Sequence, residues 1–403
     1  MSEAGNIFSK ISFLTGSDES IGRLQRLPAL PVFSEDIIEF LSDVSKRLMQ
    51  YPDARNYPDV VTLGFFLRKA SLKQLRARFV VNEEKLIRIG QGVAFHIAPS
   101  NVPVNFAYSL VAGLLGGNAN IVRIPSKEFP QVSIITGVLN ESLKKYPKYR
   151  DYIILVRYER DRQINDYFSS IADVRIVWGG DETIEEIRKS PLPPRSTEIT
   201  FANRYSIAII DSDVYMKTED KVKVAKDFYN DTYLSDQNAC TSPRIVIWLG
   251  DRKEEAKEVF WDRLHALVKT EYGFQDIQGV NKYTTACIAA TEYEGLQLLP
   301  REDNLLFRMK TSTVDRTLMN QMENSGFFYE YDCNDIMELK DLCDDKHCQT
   351  IGVLGDSKAL MPLVNVGLKG IDRIVPIGHT MDFDLIWDGM DLVSRLSRYI
   401  YVG

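Results

Sequence analysis

The side chain best suited to covalent chemistry is Cys240, in the stretch Ser235-Asp236-Gln237-Asn238-Ala239-Cys240-Thr241-Ser242-Pro243-Arg244. A thiolate is a strong nucleophile, so a cysteine that a loop can present is a candidate for covalent catalysis. A helical pattern with apolar Val222, Val224, Ala225, Phe228, Tyr229 and Tyr233 runs into this stretch, and an apolar run from Ile245 to Leu249 leaves it. The cysteine therefore belongs to a junction loop, where fixed anchors can present a reactive group. Burial as a small hydrophobe is the competing role for any cysteine. A second polar residue, Asn101, stands just before Val102-Pro103, which suits a helix cap as well as an amide donor. Gly179-Gly180 lies between a strand pattern and a helix pattern, where backbone amides can face an anion or simply make a tight turn. Cys333, Cys343, His347 and Cys348 follow a spacing that matches no paired zinc knuckle, so no metal site is expected.

The frame around these residues is that of a soluble globular chain. Its 403 residues are enough for two or three domains, and its hydrophobic content of 44% is ordinary. A formal net charge of -7 argues against nucleic acid as a partner, since phosphate backbones call for clustered Lys and Arg. Five cysteines at irregular spacing suggest no disulfide framework. The start MSEAGNIFSK lacks the basic and apolar regions of a signal peptide, and the longest apolar run, 102–117, is interrupted and too short to span a bilayer. A cytoplasmic location without a membrane span is the expectation.

The elements that must position the chemistry follow from periodicity. Residues 1–75 read as a helical lead-in, with Ser34 as an N-cap ahead of a face made by Ile37, Ile38, Phe40, Leu41, Val44 and Leu48. Residues 76–91 read as a hairpin arm around the turn Asn82-Glu83-Glu84. From 92 to 211 strands and helices alternate: strands 93–97, 120–124, 152–156 and 174–178, helices 103–115, 132–143 and 164–171. Such alternation predicts a parallel open sheet that binds a nucleotide. The usual G-x-G-x-x-G fingerprint is missing, because Gly90-Gln91-Gly92 precedes a strand instead of opening a helix. Residues 212–375 form a second α/β domain carrying Cys240, with a helix over 254–269, another near 292–299, and strands at 327–331 and 349–354. Residues 376–403 form a return ending in an alternating edge strand, a place where another chain can pair.

Three blocks then point to a family. The stretch from Gly92 through Asn101 to Pro103, the stretch from Gly117 through Arg123 to Ser126, and Cys240 with Gln237 and Arg244 resemble the aldehyde dehydrogenase superfamily in order and spacing. Within it, Tyr57-Pro58-Asp59 to Ala70, Val177-Trp178-Gly179-Gly180-Asp181-Glu182, and Asp372-Arg373-Ile374-Val375-Pro376-Ile377-Gly378 through Trp387-Asp388-Gly389 resemble the LuxC family of fatty acyl-CoA reductases. The resemblance implies an α/β fold of the aldehyde dehydrogenase type: two Rossmann-like open-sheet domains, one for the cofactor and one catalytic, with a small β oligomerisation arm.

It also implies roles. Cys240 corresponds to the acyl-accepting thiolate and Asn101 to the side-chain amide of an oxyanion hole. Arg123, Pro125, Ser126, Gly179, Gly180 and Gln349 correspond to cofactor-binding positions, Gln349 where a ribose-binding glutamate is common. Ser126 replaces a carboxylate that would repel a 2′-phosphate, and Arg123 and Lys127 are close in sequence, so NADPH is the preferred cofactor and NADH the alternative. The expected activity is reduction of a fatty acyl-CoA to an aldehyde through acyl-Cys240. Fatty acyl-CoA or an acyl-protein synthetase would donate the acyl group, and the chain would form a homo-oligomer. The stretch Thr200 to Ser206 lacks the acidic motif with which oxidising relatives hydrolyse the acyl-enzyme, and nearby Glu198 is expected to be a solvated strand residue. Two alternatives stay open: NAD(P)-dependent aldehyde oxidation with Glu198 as base, and a non-catalytic partner subunit of an acyl-protein synthetase.

Overall fold

The computed structural model describes residues 7–80, 85–299 and 303–403, and the chain divides into two compact units, residues 1–202 with 385–403, and residues 203–384. The expected boundary at 211/212 thus lies too late. The strand Tyr205–Asp211 belongs to the second unit because it is hydrogen-bonded between two strands of that unit's sheet.

In the first unit, β1 (Ser12–Thr15) precedes β2 (Leu86–Gly90), followed by β3 (Val93–Ile97), β4 (Ala119–Arg123), β5 (Ile153–Arg157), β6 (Val174–Trp178) and β7 (Thr197–Phe201). Six of these form one sheet in the order β1-β5-β4-β3-β6-β7, parallel except for β1. Every residue of β3 and β6 is buried, which explains why neither alternates apolar with polar residues; each carries one buried polar side chain, His96 and Arg175. Strands run leftward from β3 through β4 to β5, and the chain then crosses to place β6 on the other side of β3. That reversal makes the carboxyl ends of β3 and β6 the crevice of this sheet.

The arm differs from a local hairpin. The helix Lys69–Phe79 runs through the segment expected to be its first strand, the turn Asn82-Glu83-Glu84 lies outside the described residues, and β2 pairs instead with the strand Ser397–Tyr401, antiparallel, Leu86 opposite Tyr401. The C-terminal edge strand is present and supplies half of this two-stranded ribbon. Ser34 precedes the helix Glu35–Gln50 but makes no cap bond; its hydroxyl is engaged with Tyr149.

The second unit contains β8 (Tyr205–Asp211), β9 (Pro243–Leu249), β10 (Gln297–Leu299), β11 (Phe307–Thr311), β12 (Phe327–Asp332), β13 (Cys348–Leu354) and β14 (Arg373–Pro376), in the order β10-β11-β12-β9-β8-β13-β14. All are parallel but β10. The helix expected near 292–299 is displaced: a helix spans Asp276–Glu292 and β10 follows it. Its exposed side chains include Ile277, Val280, Tyr283 and Ile288, and this apolar outer face blurs the period that sequence reading depends on. One face of the sheet packs Ile207, Ile245, Tyr329 and Ile351, the other Ala208, Val246, Trp248, Phe260 and Trp261. Buried Glu330 accepts from the indoles of Trp248 and Trp261 at 3.0 and 2.8 Å and from Arg308 at 3.0 Å, so its charge is fully engaged.

A polar network inside the first unit ties β3, β4 and β6 together. His96 is fully buried, with Nδ1 2.7 Å from the Ser109 hydroxyl and Nε2 3.0 Å from Asn120 Oδ1. Asn120 Nδ2 donates to the Asn118 carbonyl at 2.7 Å, which fixes its Oδ1 as the acceptor from the imidazole. His96 therefore carries its proton on Nε2 and accepts from Ser109, whose oxygen in turn accepts from Trp178 Nε1 at 2.9 Å. Burial pushes the His96 pKa down to about 4, against a partial rise from Asn120. In the window between that value and the ordinary 6.5 the unfolded chain holds the extra proton, so stability is lost as pH falls through it. The His96 contribution to the acid loss between pH 7 and 4.5 should be about 2–3 kcal/mol. Urea unfolding at both pH values should show that drop in the native protein and a correspondingly smaller one in His96→Gln.

Candidate active site

Cys240 sits three residues ahead of β9, on a loop whose irregular backbone is held from several sides. Asp236 and Gln237 both take left-handed backbone angles, φ 52° and 58°, which turn the chain out of the preceding helical segment. Gln237 is wholly buried and uses its entire amide: Oε1 accepts from the backbone N–H of Gly326 at 2.9 Å and Phe327 at 3.2 Å, while Nε2 donates to the carbonyls of Pro243 at 2.9 Å and Phe327 at 3.0 Å. Gly326 has φ 90°, and a Cβ there would lie 2.1 Å from the Tyr233 hydroxyl, so only glycine lets this close approach form. The loop is thereby stapled to the start of β12.

Around the cysteine itself, the Ser206 hydroxyl donates to the Cys240 carbonyl at 2.7 Å, and Gln349 Nε2 donates to Cys240 Sγ at 3.5 Å. Thr241 donates to Met381 Sδ at 3.1 Å. The Cys240 side chain is half-buried, while Cys333, Cys343 and Cys348 are fully buried and Cys287 is exposed. Arg244 is 9% exposed, donates to the Glu323 carbonyl at 2.8 Å and Asn324 Oδ1 at 2.7 Å, and attracts Cys240 electrostatically. Burial lowers its pKa to about 10, so the guanidinium stays charged at neutral pH.

The loop after β14 completes the surround. Arg373 donates to the carbonyls of Thr380 at 3.2 Å and Asp382 at 2.9 Å, and buried Asp231 accepts from the backbone N–H of Gly378 at 2.6 Å and Thr380 at 3.1 Å. Burial raises the Asp231 pKa to about 6 despite these bonds. Folding this loop back is what brings Met381 to Thr241.

Asn101 and the other expected cofactor positions belong to the first unit. Asn101 is exposed on the loop after β3 and is not the cap of the next helix, which spans Asn105–Leu115 with Val104 at its N-cap. Gly179 and Gly180 follow β6, and Gly180 caps the helix Asp181–Arg188. A Cβ on Gly179 would meet Thr183 at 3.0 Å. Asp181 and Glu182 occupy the first turn of that helix, where carboxylates already neutralise part of the dipole that an anion would use. Arg123 ends β4 with its guanidinium 4.7 Å above the Tyr158 ring, Pro125 O accepts from Arg157 at 3.1 Å, and Ser126 is exposed. Asn101, Gly179 and Gly180 thus flank the crevice between β3 and β6, with Arg123, Pro125 and Ser126 one strand away. Gln349 belongs to the second unit, beside the cysteine sulfur.

A sequence model described as acyl-CoA reductase (LuxC) matches residues 24–272. The chain belongs to the LuxC family.

Among curated relatives, the long-chain acyl-protein thioester reductase of Photorhabdus luminescens is 24% identical over 340 residues, covering 81% of this chain and 68% of that one. The chain spans about two thirds of the length of the curated relatives it matches. Among solved structures, an NAD-dependent benzaldehyde dehydrogenase from Corynebacterium glutamicum superposes with a TM-score of 0.63 at 12% identity, covering 96% of this chain and 89% of that one. A Thermus 1-pyrroline-5-carboxylate dehydrogenase solved with bound NAD gives 0.64 at 14%, covering 95% and 83%. The fold is therefore that of aldehyde dehydrogenases, and the LuxC family places the chain among oxidoreductases of acyl thioesters and aldehydes.

Glu198 differs from its expected state. Its side chain is 15% exposed, and its carboxylate accepts from Arg175 at 2.9 and 2.6 Å and from Arg188 at 2.7 Å. It is an ion-paired residue between β6 and β7 and not a solvated one, because Arg175 is buried on the adjacent strand and requires a counter-charge.

Sequence reading missed Ser206, Arg244 as a buried cation, and the Gln349–Cys240 contact. No local pattern announces them, since they depend on β8, β9 and β13 lying side by side. Removing the Gln237 staple leaves two N–H groups and two carbonyls without that partner in the interior. Gln237→Ala should lower stability by about 3 kcal/mol in chemical denaturation, at the upper end of a single polar deletion.

Proposed function

We propose that this chain reduces a long-chain acyl thioester to the aldehyde through an acyl group carried on Cys240. The observation that carries the reading is the half-buried thiol on a loop locked by Gln237 and Ser206, with an amide donor on its sulfur. In the first step the Cys240 thiolate forms a bond to the thioester carbonyl carbon and the donor's C–S bond breaks, releasing coenzyme A or a carrier thiol as the thiolate. The resemblance gives Asn101 the role of donating its side-chain N–H to the carbonyl oxygen, where such a donor contributes roughly 3–4 kcal/mol.

The residues of the first unit suit a nicotinamide dinucleotide: Gly179 and Gly180 offer a close backbone approach at the switch point, and Arg123, Pro125 and Ser126 stand at the next strand end. A bound reduced nicotinamide supplies hydride to an acyl thioester. Arg123 and Lys127 beside Ser126, without a carboxylate at position 126, support NADPH over NADH. Cys240 then leaves as thiolate when the hemithioacetal collapses to aldehyde. Hydrolytic aldehyde oxidation is disfavoured, because Glu198 has its oxygens committed to two arginines. The family's description as acyl-CoA reductase supports fatty acyl-CoA as donor, and the name borne by the curated relatives supports an acylated protein. The exposed Ile87, Tyr399, Tyr401 and Val402 of the ribbon support a homo-oligomer.

Mixing the protein with a long-chain acyl-CoA should add one acyl mass, on Cys240 by peptide mapping, and Cys240→Ala should add none. Absence of the adduct on the native protein would defeat the reading. Asn101→Ala should slow formation of the adduct, and with NADPH or NADH supplied the production of aldehyde, about 100- to 1000-fold.

A further inference from the structure

We infer that Gln349 is a catalytic residue of this thioester chemistry, whose side-chain amide donates to the Cys240 sulfur and favours the thiolate. The inference deepens the reading of Cys240 as nucleophile. Gln349 is the second residue of β13 and is fully buried, so its amide protons find their acceptors within the protein. One of its donors is directed at Cys240 Sγ at 3.5 Å. Its backbone carbonyl accepts from Asp372 N–H at 2.8 Å, and the Thr350 hydroxyl lies 3.5 Å from its Oε1, so the residue is held at both ends. A thiol sulfur is a weak acceptor and a thiolate a strong one, so a fixed amide N–H stabilises the charged form selectively.

A carboxylate at the same position would reverse the sign: it donates nothing when ionised and repels the thiolate. That makes the neutral amide the informative feature of position 349. The resemblance to dehydrogenases would instead give this position a ribose contact, and the two roles make different predictions in the absence of cofactor.

The charged groups packed around the loop have assigned engagements. Arg244 on β9 attracts the sulfur, the Glu323 carboxylate accepts from Asn324 N–H at 2.9 Å, Asp231 holds the amides of Gly378 and Thr380, Asp236 accepts from the Tyr272 hydroxyl at 2.6 Å, and Arg204, ion-paired with Asp372, donates to the Cys348 carbonyl at 3.0 Å. None of these named bonds uses the Gln349 side chain, so a shift in thiol reactivity on substitution at 349 is expected to report the amide.

The test follows alkylation of Cys240 by iodoacetamide from pH 5 to 9, without cofactor, in full-length protein carrying Cys287→Ser to remove the exposed thiol. Gln349→Glu should move the midpoint of the alkylation profile up by about one pH unit or more and slow the reaction at pH 7 about tenfold. Gln349→Met, similar in length and without a donor, should move it up by less, and it carries the test alone if the glutamate variant fails to fold by circular dichroism. An unmoved midpoint in the folded variants, with weakened dinucleotide binding, would overturn the inference in favour of the ribose contact. An unmoved midpoint with binding intact overturns it as well. The acyl adduct on the native protein is read in parallel: its absence would remove Cys240 as the acyl carrier, a failure separate from any shift in alkylation.

Discussion

Irregular backbone near a protein interior is expensive unless each N–H and C=O finds a partner, and around the loop carrying Cys240 the side chains of Gln237 and Ser206 supply several of those partners. Gln237 supplies two donors and two acceptor bonds between its own loop, the start of β9 and the start of β12. A helix or a strand would satisfy itself but would not leave the thiol half-exposed at a turn. The left-handed angles of Asp236 and Gln237 and the glycine at 326 are the local strain and space that this arrangement requires. Everything chemical in the second unit is referenced to that staple: Ser206 reaches the Cys240 carbonyl, and Gln349 reaches its sulfur, only because the loop is fixed above the ends of their strands.

The two sheets are used at opposite ends. In the first unit the candidate positions follow the carboxyl ends of β3, β4 and β6, as the switch-point rule for open α/β sheets expects. In the second unit Ser206, Cys240 and Gln349 all lie at or before the amino ends of β8, β9 and β13. The carboxyl ends there are closed instead. Asp213 accepts from Asp251 N–H at 2.9 Å, Ser212 from Arg252 N–H at 3.2 Å, and a Cβ on Gly355 would touch Asp211 at 3.1 Å. A ligand has little backbone left to address at that end. The strand order alone points to the carboxyl rim; the candidate thiol lies at the other.

What could be read from the chain was what is local. The strand Val174–Trp178 and the helix ahead of Cys240 are legible because apolar runs and helical spacing are properties of neighbouring residues. The arm was misread because β2 finds its partner more than three hundred residues away, and no turn signal encodes a pairing of that range. Asn101, Arg123 and Gly179 were put forward by family pattern, and physical chemistry alone would have left Asn101 a helix cap. Its exclusion from the cap position comes from the helix starting late, at Asn105. Gln349 shows the limit most clearly. Its sequence neighbours say only that it begins a buried strand, whereas its partner is fixed by three strands lying in parallel.

Buried ionic groups carry the remaining distinction between reduction and hydrolysis. An acyl-enzyme is hydrolysed when a carboxylate with open lone pairs sits ready to deprotonate water. Glu198 is the acidic residue nearest in sequence to where such a base would stand, and three donors from Arg175 and Arg188 converge on it. Recruiting it as a base would leave the Arg175 guanidinium, 3% exposed, without its counter-charge, a loss of several kcal/mol that a catalytic cycle would incur at every turnover. The same ion pairs that hold β6 to β7 therefore bias the chain against water as the acyl acceptor. In the proposed reaction the fate of the acyl group is set as much by a carboxylate locked into the sheet as by the thiol that would carry it.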